Sequence, residues 1–291
     1  MDILTVQQLI GCLQKRVPVP LALLEWSSKA AAMHPSFEGA VVDQLTHIIV
    51  KLVNLRADIQ NQVLTDTAKI LSISHELDLE LTNWALNLSP GWSYQTVTCR
   101  DNSFFRISEC DKLRPYNGRY HIYRDLWACN IWNNYRYARI LVNEIILLQL
   151  QSQASRSTAL SYSSVFQDHC RSVRDAAREV AADICYTVPY QLGIIPLEND
   201  APQNPSGPQS SIGGFTLLWP LYVASVIDGS LHPLNRWVTD CFRVIARTMG
   251  IDQAVALVTL MSTESGAAEW IDDLDDESDD SRGSVQEVHK F

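Results

Sequence analysis

Cysteine pairs at metal-ligand spacing are missing from this chain. Cys12, Cys99, Cys110, Cys129, Cys170, Cys185 and Cys241 are scattered, with no C-x2-C pair anywhere, which excludes a structural zinc site and a C-x-x-C redox motif. Seven dispersed thiols fit a reducing compartment, where they pack as small apolar side chains. A basic stripe is missing too. Residues 1–268 carry 24 acids and 21 bases, so the body offers no electrostatic footprint for nucleic acid or anionic lipid. No apolar run is long enough to span a bilayer: the longest, residues 215–227, contains Pro220. The first twenty residues do not read as a signal peptide, because Lys15 and Arg16 follow the apolar turn and Pro18 and Pro20 interrupt what comes next. A soluble intracellular protein is expected.

Catalytic signatures are also lacking. There is no nucleophile elbow, Walker loop, dinucleotide fingerprint or HExxH pair. Leu79 stands where the second His of His75-Glu76 would be needed. Asp168, His169 and Cys170 are neighbours on a predicted helix, so their side chains point about 100° apart and form no relay by themselves. No catalytic, cofactor-binding or metal-ligating residue is assigned, and no cofactor is expected.

What the chain does have is apolar mass: 46% hydrophobic residues, eight Trp and ten Tyr in 291 residues, enough to bury a large core without staples. Its densest stretch is 121–150, where Leu126, Trp127, Ile131, Tyr135, Ala138, Leu141, Val142, Ile145 and Leu148 recur every three or four positions, the period of one helix face. After Arg139 nearly every position is apolar. That predicts a central helix over 121–150, surrounded by others and not laid on a surface.

Helices are predicted before it at 4–16, 20–33, 38–64 and 67–88, separated by Pro18, Pro20 and Pro90-Gly91. Residues 89–120 read as a loop holding one short strand or hairpin, from the cluster Trp92, Tyr94, Thr96, Val97 and Thr98. Residues 162–187 carry a stripe of small residues that lets helices approach closely and predicts tight packing against the central one. Residues 196–214 hold four Pro and three Gly and read as a flexible loop. Three more helices follow it, with Pro220 as a kink or first-turn residue, Gly250 as a C-cap and Asp252 as an N-cap. The class is all-α: a single multi-helix domain, 1–268, followed by a disordered acidic tail, 269–291.

That tail carries nine acids against Arg282 and Lys290. Asp272-Asp273-Leu274-Asp275-Asp276 satisfies the DDxxD pattern of all-α isoprenoid synthases, whose carboxylates bridge magnesium to a diphosphate. Such carboxylates must line a dry helical cavity, and a polar tail without a second metal motif does not supply one, so the enzyme remains the lesser alternative. Bulky residues among acids suit a different task. Charge repulsion keeps Trp270, Ile271 and Leu274 available to a partner groove, so Trp270, Ile271, Asp272, Asp273, Leu274, Asp275 and Asp276 form a candidate activation segment. An inert solvated tail is the blander reading.

On the central helix, Trp127, Trp132, Tyr135 and Tyr137, with Trp219, Tyr222 and Trp237, read as core and not as the lining of a ligand pocket. Arg136 and Arg139 lie on an otherwise apolar helix and, if buried, must be satisfied. They are expected to pair with carboxylates or helix-end carbonyls and fix helix register.

Four segments, DLWACNIWNNYRYARILVNEIILLQL (125–150), ICYTVPYQLG (184–193), GGFTLLWPLYVAS (213–225) and RWVTDCFRVIARTMGIDQAVAL (236–257), resemble in order and spacing the C-terminal regulatory domain of fungal zinc-binuclear-cluster transcription factors. The resemblance spans residues 20–260. It implies a non-enzymatic transcriptional regulator in the nucleus, with control of a secondary-metabolite gene cluster as a common role. The implied partners are the transcription machinery or regulatory proteins, with a second copy of the chain among them. In that family a six-cysteine module binds DNA, and its spacings are absent here. No direct nucleic-acid contact is therefore carried over to any residue. Gln191 stands where the family often has His. Either the chain is a part of a longer regulator, or it is a stand-alone interaction module that works through protein partners.

Overall fold

Asp125 starts the central helix by accepting a hydrogen bond from the Ala128 backbone N–H at 2.7 Å, which satisfies a donor the first turn would otherwise leave open. The computed structural model describes residues 3–25, 29, 37–99, 105–106, 112–157, 163–194, 208–262 and 266–272. In chain order they form α1 (Ile3–Lys15), α2 (Phe37–Gln60), α3 (Thr67–Leu86), β1 (Gln95–Thr98), β2 (Phe105–Arg106), β3 (Lys112–Leu113), β4 (Arg119–Ile122), α4 (Leu126–Arg156), α5 (Ser164–Gln191), α6 (Pro208–Ser225), α7 (Pro233–Met249) and α8 (Gln253–Met261). The fold is all-α, with two small two-stranded sheets as accessories.

The central helix is therefore α4, and its limits differ from the predicted 121–150. Tyr120 and Ile122 alternate because residues 119–122 are a strand, antiparallel to β1 in the register Gln95↔Ile122 to Thr98↔Arg119. At the other end the Gln/Ser stretch stays helical to Arg156. α4 packs against α2, α3, α5 and α6, and Ala138, Val142 and Leu147 are completely shielded from water. Burying each large aliphatic side chain stabilises the fold by about 1.5–3 kcal/mol. Trp127 and Leu148 fall outside the buried face.

α5 is the main partner of α4. Of its predicted stripe, Val173, Ala177, Val180, Ala181, Ile184 and Cys185 are buried, whereas Ala176 is half-buried and Val165 is exposed, so the close-approach argument holds from Val173 onward. The helix runs on past the predicted end at 187, carrying Pro189 in its final turn. α6 then crosses the end of α5 so tightly that a Cβ on Gly213 would overlap the Gln191 carbonyl oxygen.

The predicted flexible loop, 196–214, is corrected at its second half: residues 208–214 are the opening of α6. Proline at the first helical position is preorganised for that start, and residues 195–207 lie outside the described residues. Pro220 lies inside α6, which continues through it. Gly250 caps α7 in the left-handed region, φ 68°, whereas Asp252 occupies the N-cap of α8 without a side-chain capping bond. Buried apolar residues from Leu9 to Ile271 belong to one cluster. Among the described residues no helix is long and apolar enough to cross a membrane.

Candidate functional site

Two polar constellations interrupt this core. One is centred on Arg136, where α4, α5 and the β1–β4 ladder meet. Its side chain is 1% exposed. Nη1 donates to Tyr123 Oη at 2.7 Å and to Asn133 Oδ1 at 3.3 Å, and Nε lies 3.7 Å from Asp183 Oδ2. The guanidinium faces the rings of Tyr94, Trp132 and Tyr123 at 5.0, 5.5 and 5.9 Å, a cation–π setting that partly replaces lost hydration. Asn133 extends the network by donating to Thr187 Oγ1 at 3.1 Å.

His121 closes the same cluster from β4. It sits opposite Thr96 in the ladder and shares a 3.0 Å hydrogen bond with that hydroxyl through Nδ1, while Nε2 is 3.5 Å from Asp183 Oδ1. Burial pushes its pKa below the ordinary value, the nearby Asp183 carboxylate pulls it back up, and Arg136 pushes it down again. Burial alone would raise the Asp183 carboxyl, but the neighbouring His121 and the charge of Arg136 overcome it and hold the group below the usual carboxylate range. Arg136 stays charged despite its burial because Tyr123, Asp183 and Tyr94 favour the cation. Tyr94 and Tyr186 rings flank the imidazole at 4.5 and 5.3 Å. Burial pushes the nearby Cys129 thiol up to about 12, so it offers no thiolate nucleophile near neutral pH.

Arg139, one turn further along α4, donates to Asp78 Oδ1 at 2.9 Å and to Tyr135 Oη at 3.3 Å. Both sequence-assigned arginines therefore face carboxylates, Arg139 at hydrogen-bond distance and Arg136 across a longer gap. Together they tie α4 to α3 and α5. Gln191 donates to Asn130 Oδ1 at 2.8 Å and to Cys129 Sγ at 3.4 Å, so it fastens the end of α5 to α4.

The second constellation lies where the C-terminal segment meets α5. Residues 266–272 are not a detached tail. Ala268 N–H donates to the Ile227 carbonyl at 2.9 Å, residues 269–272 form a last helical turn, and Ile271 is 1% exposed. Asp272 pairs with Arg174 Nη1 at 2.9 Å and with Arg178 Nη2 at 2.6 Å. Arg178 also reaches Asp228, which is 3% exposed, through Nε at 2.9 Å and Nη2 at 2.6 Å. His232 Nδ1 lies 3.5 Å from the second oxygen of Asp228.

A disordered tail beginning at 269 is thus corrected for its first residues. Trp270 is half-buried, Ile271 is in the core and Asp272 is salt-bridged. The physical reason is that α5 supplies two cations to Asp272 while the Ile227 carbonyl anchors the backbone at Ala268. Asp273, Leu274, Asp275 and Asp276 lie outside the described residues.

Sequence reasoning missed His121, Asp183 and Asp228, which pair only through tertiary contact. Arg174 and Arg178 did carry a signal, since residues four apart share a helix face. Other candidates disperse. Asp168 is paired with Arg171 at 3.1 Å on the surface, the His169 ring contacts His75 at 5.4 Å, and Cys170 is buried. Among the described residues no group of three or more His, Cys, Asp or Glu side chains could hold a metal ion.

No family model and no solved structure matches the chain. A curated relative is the transcription factor dbaG of Emericella nidulans, 28% identical over 182 residues, 62% of this chain and 41% of the relative. The chain thus spans less than half the length of that protein. The likeness supports a transcription-factor-like relationship over the matched residues.

Proposed function

We propose that this chain is the regulatory portion of a transcriptional regulator of the fungal zinc-cluster type, acting in the nucleus on a secondary-metabolite gene cluster. The likeness to dbaG carries the reading. Four segments of apolar, Gly- and Pro-punctuated sequence agree with it. They build the buried interfaces of α4, α5, α6 and α7, which is what a regulatory scaffold requires. Partner contact is assigned to the acidic segment Trp270–Asp276, whose bulky residues would fill a groove on the transcription machinery while the carboxylates hold it in solution. A second copy of the chain is a further partner.

Tethering residues 260–291 to a foreign DNA-binding domain tests the assignment. Reporter activation is expected, with at least a fivefold drop when Trp270, Ile271 and Leu274 are all changed to Ala. Undiminished activity in that triple variant would remove the segment from the proposal.

A further inference from the structure

We infer that the strip of α5 carrying Arg174 and Arg178 is a docking site for an acidic peptide with a bulky apolar anchor, and that residues 266–272 of this chain occupy it in cis. The inference deepens the activation reading and rests on it for its consequence, the masking of Ile271, but not for the docking itself.

Three independent features define the site. Charge is the first: Asp272 presents one carboxylate oxygen to each arginine, at 2.9 and 2.6 Å. Steric fit is the second. A Cβ on Gly266 would overlap the Gly229 nitrogen and the Asp228 carbonyl carbon, so the segment enters backbone against backbone at a spot only glycine permits. Preorganisation is the third. Arg178 is held from behind by Asp228, Nε bonding both carboxylate oxygens at 2.9 and 3.1 Å, and that pair does not depend on the segment. An arginine fixed in this way keeps its orientation when the peptide leaves, which lowers the entropy cost of rebinding.

The segment is held lightly compared with the helices. Its fully or nearly fully buried apolar groups are Ala267, Ala268 and Ile271, and the Asp272 side chain is about half exposed in the ion pair. Small buried area and water-accessible ion pairs place such a unit at the low end of local stability. A tethered peptide faces its own site at an effective concentration on the order of 1 mM. If the same peptide binds in trans with a Kd of about 20 μM, the cis segment closes the site about 98% of the time and weakens trans binding about 50-fold. Closed, the site withholds Ile271 and much of Trp270 from any other groove. Open, it frees them together with the carboxylates.

The test uses the full chain and a fluorescein-labelled peptide of residues 266–276, read by anisotropy. Gly266→Val should open the site, so that the G266V chain binds the peptide at least tenfold more tightly than the unaltered chain. Adding Arg174→Glu and Arg178→Glu to G266V should abolish binding. Equal binding by the unaltered and G266V chains, or none by either, would overturn the inference. So would loss of the cooperative thermal transition in G266V, because the segment would then be a part of the core and not a ligand of it. In the reporter, the isolated segment and the G266V chain, each tethered, should both exceed the unaltered chain at least fivefold. An inert isolated segment would sink the activation reading alone and leave the docking result standing. An active isolated segment with an inert G266V chain would overturn the masking.

Discussion

Single residues decide whether the buried charge of Arg136 is tolerated. Among the described residues Asp183 is the carboxylate that faces it, about a third exposed and slightly beyond hydrogen-bond distance. Removing a partner from a buried pair costs about 3–5 kcal/mol, because the remaining charge cannot reach water. Partial hydration and the longer separation reduce that here, so Asp183→Ala should cost about 2–3 kcal/mol in urea unfolding. A change within about 0.5 kcal/mol would show that the aromatic rings and Tyr123 alone hold the cation.

The pH dependence has a definite sign. His121 has a depressed pKa in the folded chain, so the unfolded chain binds its proton first, and stability falls as pH drops through the ordinary histidine range, about 6.5. Asp183, also depressed, adds a second loss further into acid, as pH falls from the ordinary carboxylate value toward its lower folded one. His169, lowered by burial and by His75, contributes in the same direction as His121. Melting temperatures measured from pH 7.5 to 5 should therefore decline. His121→Gln should flatten part of that decline and leave the His169 share. An identical slope in the variant would mean that His121 is as easily protonated in the folded chain as in the unfolded one.

Elements were legible where the signal was local. The periodicity at 38–64 and 67–88 gave α2 and α3 to within a few residues, and Gly250 capped α7 as a glycine in that position should. Boundaries set by distant partners were not legible. Residues 119–122 become a strand because β1, more than twenty residues earlier, pairs with them, and no helical period warns of that. Residues 208–214 looked like a continuation of a Pro/Gly loop. Yet Gly213 is there because α6 and α5 touch backbone to backbone at Gln191, a demand that is visible only in three dimensions. Gly213→Ala should consequently destabilise the chain by about 3 kcal/mol or more, at the upper end of overpacking costs, since a carbonyl oxygen in a helix cannot step aside. A variant that melts within 2 °C of the parent would show that the two helices can separate freely.

At the scale of the whole molecule, the polar groups at the Arg136 and Asp272 sites serve as joints. Arg136 and Arg139 pin α4 to its neighbours, and Arg174 and Arg178 pin the C-terminal segment to α5. The arginines of α4 stand out in the sequence because charge on an apolar helix demands a partner. The clasp was not, because Trp270, Ile271 and Asp272 read as acidic tail until α5 is seen beneath them. The chain is built of joints and buried helix faces and is similar to part of a fungal transcription factor, and the proposed regulatory role is tested at this scale. The most direct test is chromatin occupancy of the tagged protein in its own host. Enrichment at promoters within one biosynthetic gene cluster, with loss of those transcripts when the gene is deleted, is the predicted result. A protein absent from chromatin, whose deletion leaves transcription unchanged, would contradict the account.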